Sequence, residues 1–207
     1  MGQTEIILAS GSPRRRELLG QLGLTFSVEV PRVEERMDPE IGLDEAIAQL
    51  ARRKARAVAA RRPRALVIGA DTLVVLDGRP LGKPASPEQA ARMLRALSGR
   101  RHEVWTAMTL CRGRREQTVV EKTAAFVRPL SSGEIARYVA TGESMDKAGA
   151  YGIQGRGAAF ISRIEGDYYT VVGLPLCRLA RLLPQWLPEI DRKDEPDQCE
   201  ISSVPNG

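Results

Sequence analysis

The sequence predicts a mixed α/β fold, in which helices flank a twisted sheet with both parallel and antiparallel strands. Two observations support this class. Near the amino terminus, the apolar run Ile6–Ala9 leads directly into helix-start signals at Ser12 and Pro13, and such strand–helix alternation is typical of parallel strands. In the middle of the chain, residues 102–127 contain two strand-like stretches joined by a short turn, which favours an antiparallel pair.

Each element of the first part of the chain has a local cause. Ser12 is a good N-cap and Pro13 suits the first helical position, so a helix starts directly after the first strand. Asp44 caps a second, longer helix. A long apolar stretch then forms a buried strand. The expected elements are a strand at 4–9, a helix at 13–22, a strand at 26–30, a helix at 44–62 and a strand at 66–76.

Turn and cap signals define the elements that follow. Asp77 and Gly78 predict a hairpin turn, and capping boxes that begin at Ser86 and Ser131 each start a helix. The expected elements are helices ending near 98 and 142, strands near 102–111 and 116–127, a glycine-rich loop at 149–157, strands near 158–164 and 167–172, and a last helix at 174–187.

Length and composition bound the domain organisation. A chain of 207 residues with 43% hydrophobic and 28% charged residues suits one globular domain, or two lobes around one cleft. We expect the folded domain to span residues 1–187. Residues 188–207 are polar, rich in acids and contain proline, so they predict a disordered tail.

Three features of the sequence predict a cytoplasmic location. No apolar run approaches the ~18 residues needed to cross a membrane, so we expect no membrane partner. Glu5 interrupts the N-terminal apolar stretch, and no signal-peptide cleavage pattern follows. Cys111, Cys177 and Cys199 are scattered without a CxxC pair, as is typical of reduced thiols.

The charge balance and the scarcity of histidine narrow the chemistry. The net charge of +5 suits a polyanionic partner, but aromatic residues make up only 4% of the chain. Because so few aromatic rings are available to stack on bases, nucleic acid is not the expected partner. The single histidine, His102, excludes a histidine metal cluster, and we interpret it as a structural or surface residue. Any metal must then be held mainly by carboxylates, which favours Mg²⁺ or Mn²⁺.

The start of the first helix is the most informative stretch. Its first turn carries Arg14, Arg15 and Arg16, although cations are disfavoured at the positive end of a helix dipole. Free amides, the dipole and guanidinium groups add positive potential at one point, and this arrangement suits a bound anion such as phosphate. A solvated basic helix start has the same pattern, but the preceding strand and the neighbouring serines favour phosphate binding.

Acidic and lysine residues elsewhere complete the candidate site. Asp71 interrupts a strongly apolar strand, so its carboxylate must be paired, hold a metal or face a cleft; a capped strand end is the alternative interpretation. Glu34 and Glu35 are adjacent on an irregular loop, so at most one of them faces the same site. Lysine occurs at only five positions, and Lys83 follows the hairpin just beyond Asp71, so both are placed at one pocket, where a compact ammonium suits phosphate.

Taken together, these segments resemble the Maf family of nucleotide pyrophosphatases. The resemblance covers about residues 5–187, with the motifs in the family's order. The stretch AGAYGIQG resembles the subgroup that acts on dTTP and UTP rather than the one that acts on 7-methyl-GTP. The matching segments are LASGSPRR at 8–15, VEE at 33–35, ARRKA at 51–55, GADT at 69–72, GKP at 82–84, DKAGAYGIQG at 146–155 and GLPL at 173–176.

The resemblance implies two lobes around a substrate cleft, usually in a homodimer, and hydrolysis of a nucleoside triphosphate to the monophosphate and pyrophosphate. It implies a divalent cofactor, Mg²⁺ or Mn²⁺, held by Glu35 and Asp71, with Asp71 also orienting or deprotonating the attacking water. Lys83 joins these two as the third expected catalytic residue. The expected substrate-binding residues are Ser10, Arg14, Arg15 and Lys54 at the triphosphate, Thr72 and Gln154 at the base, and Lys147 in the glycine-rich segment.

Two other functions remain open from the sequence. The first is a nucleic-acid- or septum-associated regulator that binds polyanions with a basic surface. The second is a pyrophosphatase for a purine or modified nucleotide. Salt-dependent DNA binding without turnover would favour the first, and a panel of nucleotide substrates would distinguish the second.

Overall fold

The structure, a computed structural model, describes residues 4–187, which form seven strands and six α-helices. The strands are β1 (Ile6–Ala9), β2 (Ser27–Val28), β3 (Leu66–Leu76), β4 (Arg79–Leu81), β5 (Arg101–Arg112), β6 (Arg115–Val127) and β7 (Ile161–Glu165). The helices are α1 (Pro13–Gly20), α2 (Leu43–Ala59), α3 (Pro87–Leu97), α4 (Ser132–Ala140), α5 (Tyr168–Val172) and α6 (Leu176–Trp186). Short 3₁₀ turns occur at Ala148–Ala150 and Gly155–Phe160. The tail predicted at 188–207 lies outside the described residues.

The strands form one mixed sheet in the order β2-β1-β3-β5-β6-β7. The first three strands in this order are parallel, and the remaining pairs are antiparallel. On one edge of β3, β1 pairs with residues 66–69 and β4 pairs with residues 74–76. Between them, no described strand pairs with residues 70–73 on that edge. The sheet therefore has an opening beside Asp71 and Thr72.

The two faces of the sheet are covered differently. Helix α2 packs along one face, against Val67 in one core cluster and against Leu73 and Val75 in another. The opposite face carries two separate clusters, one under α1 and α6 and the other under α3 and α4. Because these clusters meet at the opening in β3, the molecule has two lobes on this face. None of the helices within residues 4–187 is long and apolar enough to span a bilayer.

Gly69 allows α2 to lie directly against β3. A Cβ atom at this position would lie 2.7 Å from the Ala55 nitrogen and 2.8 Å from the Ala51 carbonyl oxygen. Both are backbone atoms of the helix, so the helix would have to move away to admit a side chain. This close approach sets the distance between α2 and the polar residues that follow Gly69 on the strand.

The predicted α/β class is confirmed, as are the hairpin turn at Asp77 and Gly78 and the helix starts at Pro13 and Ser132. The strand predicted at 167–172 is wrong, because residues 168–172 form α5. Its aromatic and β-branched residues favour a strand, but the Asp167 carboxylate caps a helix by accepting a hydrogen bond from the Thr170 amide at 2.7 Å. The strand predicted at 158–164 begins only at Ile161, since a 3₁₀ turn occupies the preceding residues.

Candidate active site

A cavity of about 620 Å³ lies at the opening beside β3. Its volume is in the range of small-molecule sites. Nine of the ten residues predicted from the sequence line it, although they come from six separate segments of the chain. These nine are Ser10, Arg14, Arg15, Glu35, Lys54, Asp71, Thr72, Lys83 and Lys147.

Successive residues of β3 point to opposite faces of the sheet, so its two polar residues serve different helices. Asp71 points toward α2, where its Oδ1 accepts a hydrogen bond from Lys54 Nζ at 2.6 Å. Thr72 points toward α1, where its hydroxyl oxygen accepts a hydrogen bond from Arg15 Nη2 at 3.0 Å. The cavity thus has a cation on each side of the strand.

Lys54 joins two carboxylates. Its ammonium lies 2.6 Å from Asp71 and 2.7 Å from Glu35 Oε1, and only 8% of its side chain is exposed. The hydrogen bond from Lys54 is the main cause that holds the pKa of Glu35 below its ordinary value. The sequence placed Lys54 at the triphosphate; in the structure its ammonium is held between these two acidic side chains. Glu35 and Asp71 therefore converge on one cation position.

Arg15 is a buried cation with neutral partners. Its Nε donates to the Gly173 carbonyl at 2.8 Å, its Nη1 to Ser10 Oγ at 3.3 Å and its Nη2 to Thr72. The residue is 9% exposed, and none of the ion pairs within residues 4–187 includes it. Burial is the main cause that lowers the pKa of Arg15, and the field of Asp71 partly opposes it. A buried charge without a counterion is costly, so this geometry suits an anionic ligand.

The N-terminus of α1 adds to the same positive region. Ser12 occupies the N-cap position and Pro13 follows it, but the Ser12 side chain makes no capping hydrogen bond. The amides of the first turn are therefore free of a side-chain cap, and helix N-terminal amides are good ligands for phosphate. Ser10 Oγ also accepts a hydrogen bond from the Ser12 amide at 3.2 Å, which fixes the turn between β1 and α1.

The opposite wall of the cavity carries a second charged group. Asp146 accepts hydrogen bonds from Lys147 Nζ at 2.6 Å and from Arg14 Nη1 at 3.3 Å, so it bridges the loop and α1. Lys147 also donates to the Glu143 carbonyl. Lys83 is exposed at the cavity and makes no ion pair with any residue in 4–187, although its field contributes to the lowered pKa of Glu35.

The charges at the cavity sum to a positive value. Five cationic side chains line it, against the three carboxylates of Glu35, Asp71 and Asp146. The excess is two positive charges when all of these groups are ionised. Such a surface concentrates polyanions in the cleft.

Gln154 is the predicted residue that does not line the cavity. It is half-buried and occupies the N-cap position of the 3₁₀ turn at Gly155–Phe160, where its side chain makes no capping hydrogen bond. The cavity wall in this loop ends at Tyr151, three residues earlier.

Sequence reasoning missed Asp146, Tyr151 and Gly173 as site components. Asp146 and Tyr151 lie within the quoted segment DKAGAYGIQG, which also contains Lys147. Their presence in that segment was the sequence feature that could have indicated them as site residues. Gly173 lies in the quoted segment GLPL, but its contact with Arg15 was not predicted, because residues 168–172 were expected to form a strand rather than the helix that ends there. Within residues 4–187, no three histidine, cysteine or acidic side chains form a ready-made metal cluster.

Comparison with known proteins shows which family the chain resembles. The family model described as "Maf-like protein" matches residues 5–186. A dTTP/UTP pyrophosphatase of Symbiobacterium thermophilum is 54% identical over 182 residues, which cover 88% of this chain and 94% of that protein. A dTTP/UTP pyrophosphatase of Salmonella typhimurium is 47% identical over 195 residues, covering 94% of this chain and 99% of that protein.

His102 and Tyr151 form a buried pair behind the cavity. His102 Nε2 lies 2.6 Å from the Tyr151 hydroxyl, and the rings meet edge to face. His102 is 2% exposed and its Nδ1 has no hydrogen-bond partner among the described residues. The interpretation of His102 as structural is thus confirmed, and the surface alternative is wrong. Burial lowers the pKa of His102 from 6.5 to about 4.

This lowered pKa predicts a pH-dependent loss of stability. Between pH 6.5 and 4 the unfolded chain binds a proton at His102 that the folded protein does not, so the stability falls as the pH falls. The shift corresponds to about 3 kcal/mol of unfolding free energy between pH 7.5 and 4. Urea unfolding at both pH values should show this extra loss in the wild type relative to His102→Gln. Equal losses in the two proteins would contradict the assignment.

Proposed function

Because the chain belongs to the Maf-like protein family, we propose that it is a nucleoside triphosphate pyrophosphatase that prefers dTTP and UTP. The observation that carries this proposal is Arg15, a buried guanidinium held by neutral acceptors at the floor of a positively charged cleft. A polyphosphate supplies the missing counterion. The preference for dTTP and UTP comes from the names of the relatives.

The polyphosphate chain is proposed to lie between α1 and the loop at 82–84. Arg15 and the uncapped amides of α1 hold one phosphate from the strand side, where Ser10 is also available. Lys83, which makes no ion pair within residues 4–187, lines the same cavity as an exposed point charge. Arg14 and Lys147 are now joined through Asp146, and a phosphate group would compete with that carboxylate for both cations.

Glu35 and Asp71 fit a divalent cation. Each carboxylate gives one oxygen to the Lys54 ammonium, at 2.7 and 2.6 Å, so a metal would bind beside that ammonium through their other oxygens. Mg²⁺ in such sites takes one or two carboxylates together with water and substrate phosphate oxygens, and this chain offers those two carboxylates. When bound, Mg²⁺ or Mn²⁺ would neutralise charge on the phosphate oxygens. Lys54 then holds the two carboxylates at a fixed separation.

Asp71 is proposed to orient the attacking water. Its Oδ1 is hydrogen-bonded to Lys54, and its Oδ2 makes no hydrogen bond within residues 4–187. Asp71 lines the cavity, where its carboxylate can accept a proton from a water aligned on the α-phosphate. Attack there breaks the bond between the α-phosphorus and its bridging oxygen, and pyrophosphate leaves with the electron pair. Arg15 and Lys83 stabilise the charge that develops on the phosphate oxygens.

The products and the oxygen label test this reaction. With UTP in ¹⁸O-water and Mg²⁺, we expect UMP and pyrophosphate as first products, with the label in UMP, because water attacks the α-phosphate. Mass spectrometry of both products gives the result, and EDTA should stop turnover until Mg²⁺ or Mn²⁺ is added back. Initial release of orthophosphate, or full activity in EDTA, would refute the proposal.

Asp71→Asn should lower kcat by about 10²–10³-fold, as expected when one group that handles charge in the transition state is lost. The amide keeps the shape of the side chain but neither accepts the proton nor carries the charge. Asp77→Asn, at the exposed hairpin turn, is the matched control and should keep the wild-type kcat. Near-normal kcat in Asp71→Asn, with the fold confirmed by circular dichroism, would show that the carboxylate is only structural.

Base preference is proposed to depend on Gln154. Its amide offers a donor and an acceptor, which match the N3–H and carbonyl edge of uracil and thymine. Since Gln154 lies beyond the cavity wall at Tyr151, the base must extend past that ring to reach it. A lost contact of this kind costs ~1–3 kcal/mol.

Competition among dTTP, UTP, CTP, GTP and 7-methyl-GTP measures this preference as ratios of kcat/KM. In the wild type, kcat/KM should be highest for dTTP and UTP. Gln154→Ala should reduce the ratio of these kcat/KM values to those of the other nucleotides. Gln49→Ala, in α2 and away from the cavity, should leave the ratios unchanged. A wild type that favours a purine nucleotide would overturn the substrate assignment. An unchanged ranking in Gln154→Ala would overturn the role of this residue alone.

A further inference from the structure

A line of hydroxyl groups connects Arg15 to the interior of the sheet. Thr72 on β3 lies directly opposite Thr106 on β5, and their hydroxyl oxygens are 2.9 Å apart. Thr106 Oγ1 in turn donates to the Thr170 carbonyl in α5 at 2.7 Å. Thr106 is fully buried at 0% exposure and does not line the cavity.

The Arg15 guanidinium and the Thr170 carbonyl, at the two ends of this chain of hydrogen bonds, determine which group donates at each step. The Thr170 carbonyl only accepts, so the single proton of the Thr106 hydroxyl is used there. At the 2.9 Å contact, Thr72 must therefore donate its proton to Thr106. The Thr72 oxygen is then left with lone pairs for Arg15, whose guanidinium only donates.

We propose that Thr106 is a positioning residue for Arg15 and acts through the Thr72 hydroxyl. This inference rests on the proposed function, in which Arg15 binds a phosphate of the substrate. Thr106 holds the Thr72 proton away from Arg15, so that a lone pair of Thr72 always faces the guanidinium. Thr72 is thus assigned to the phosphate anchor, whereas the family resemblance placed it at the base.

Helix α5 supplies the fixed end for both partners. The Thr170 carbonyl receives the Thr106 hydroxyl, and the Gly173 carbonyl receives Arg15 Nε. Gly173 has a φ of +126°, and a Cβ atom there would lie 3.3 Å from Thr72 Oγ1 and 3.6 Å from Arg15 Nε. A glycine is therefore suited to this point, where the chain passes close to both side chains. The guanidinium is thus held at Nε by the residue that ends α5, and at Nη2 by Thr72, whose hydrogen bonds lead through Thr106 to the same helix.

Two variants of Thr106, one with the hydroxyl and one without it, test this inference. Thr106→Val keeps the shape of the side chain and removes the hydroxyl, whereas Thr106→Ser keeps the hydroxyl. Thr109→Val is the matched control, because Thr109 lies on the same strand, is also 0% exposed, and bonds to Thr118 at 2.9 Å on the other face of the sheet. Thr106→Cys replaces Thr106→Val if the valine variant does not fold.

For UTP with Mg²⁺, we expect kcat/KM to fall about tenfold in Thr106→Val. Thr106→Ser and Thr109→Val should stay within about twofold of the wild type, although Thr109→Val loses a buried hydrogen bond of the same kind. In an Arg15→Gln background, Thr106→Val should cause no further loss, since the two residues act in series. An unchanged kcat/KM in Thr106→Val, or additive losses in the double variant, would overturn the inference.

Binding of inorganic pyrophosphate, measured by calorimetry, separates this inference from the proposed function. If the wild type hydrolyses no nucleotide, the proposed function fails, and the pyrophosphate affinity still decides the role of Thr106. Weaker binding in Thr106→Val than in Thr109→Val supports the inference, and equal affinity in these two variants overturns it.

Discussion

The buried guanidinium of Arg15 is the constraint on which the site depends. Its three hydrogen bonds go to a serine hydroxyl, a threonine hydroxyl and a backbone carbonyl, so it forms no ion pair within residues 4–187, and only the field of Asp71 and Glu35 favours its charge. Burying an unpaired charge destabilises a fold by several kcal/mol unless a ligand compensates. Three neighbouring elements each supply one hydrogen-bond acceptor to the guanidinium: Ser10 in the turn after β1, Thr72 on β3, and Gly173 at the end of α5.

The opening in the sheet gives two buried cations access to one cavity from opposite faces of β3. Because β1 and β4 pair with different parts of β3, the polar residues at 71 and 72 lie beside a gap rather than inside a continuous ladder. Lys54 on one face is neutralised by two carboxylates, whereas Arg15 on the other face is not. The contrast separates their proposed roles: Lys54 organises the acidic groups, and Arg15 receives the phosphate.

Much of this arrangement follows from local sequence signals, and the remainder depends on tertiary contacts. The helix start at Pro13, the arginines behind it and the carboxylate within an apolar strand are local signals, and the residues predicted from them line one cavity. The partner of Lys54 was not predictable, since it depends on how closely α2 approaches Gly69. Helix α5 was mistaken for a strand because the Asp167 cap outweighs the strand preference of the residues that follow. That error also concealed Gly173.

The affinity for a UTP analogue with a methylene group between the α- and β-phosphates tests the role of Arg15 most directly. Calorimetry should compare the wild type with Arg15→Gln, and with Arg16→Gln, which changes an exposed arginine in the same turn. The account predicts that Arg15→Gln weakens binding roughly 100-fold, as expected for loss of a charge-assisted contact in a buried site, and that Arg16→Gln leaves it within about twofold. Equal dissociation constants for Arg15→Gln and the wild type would contradict it.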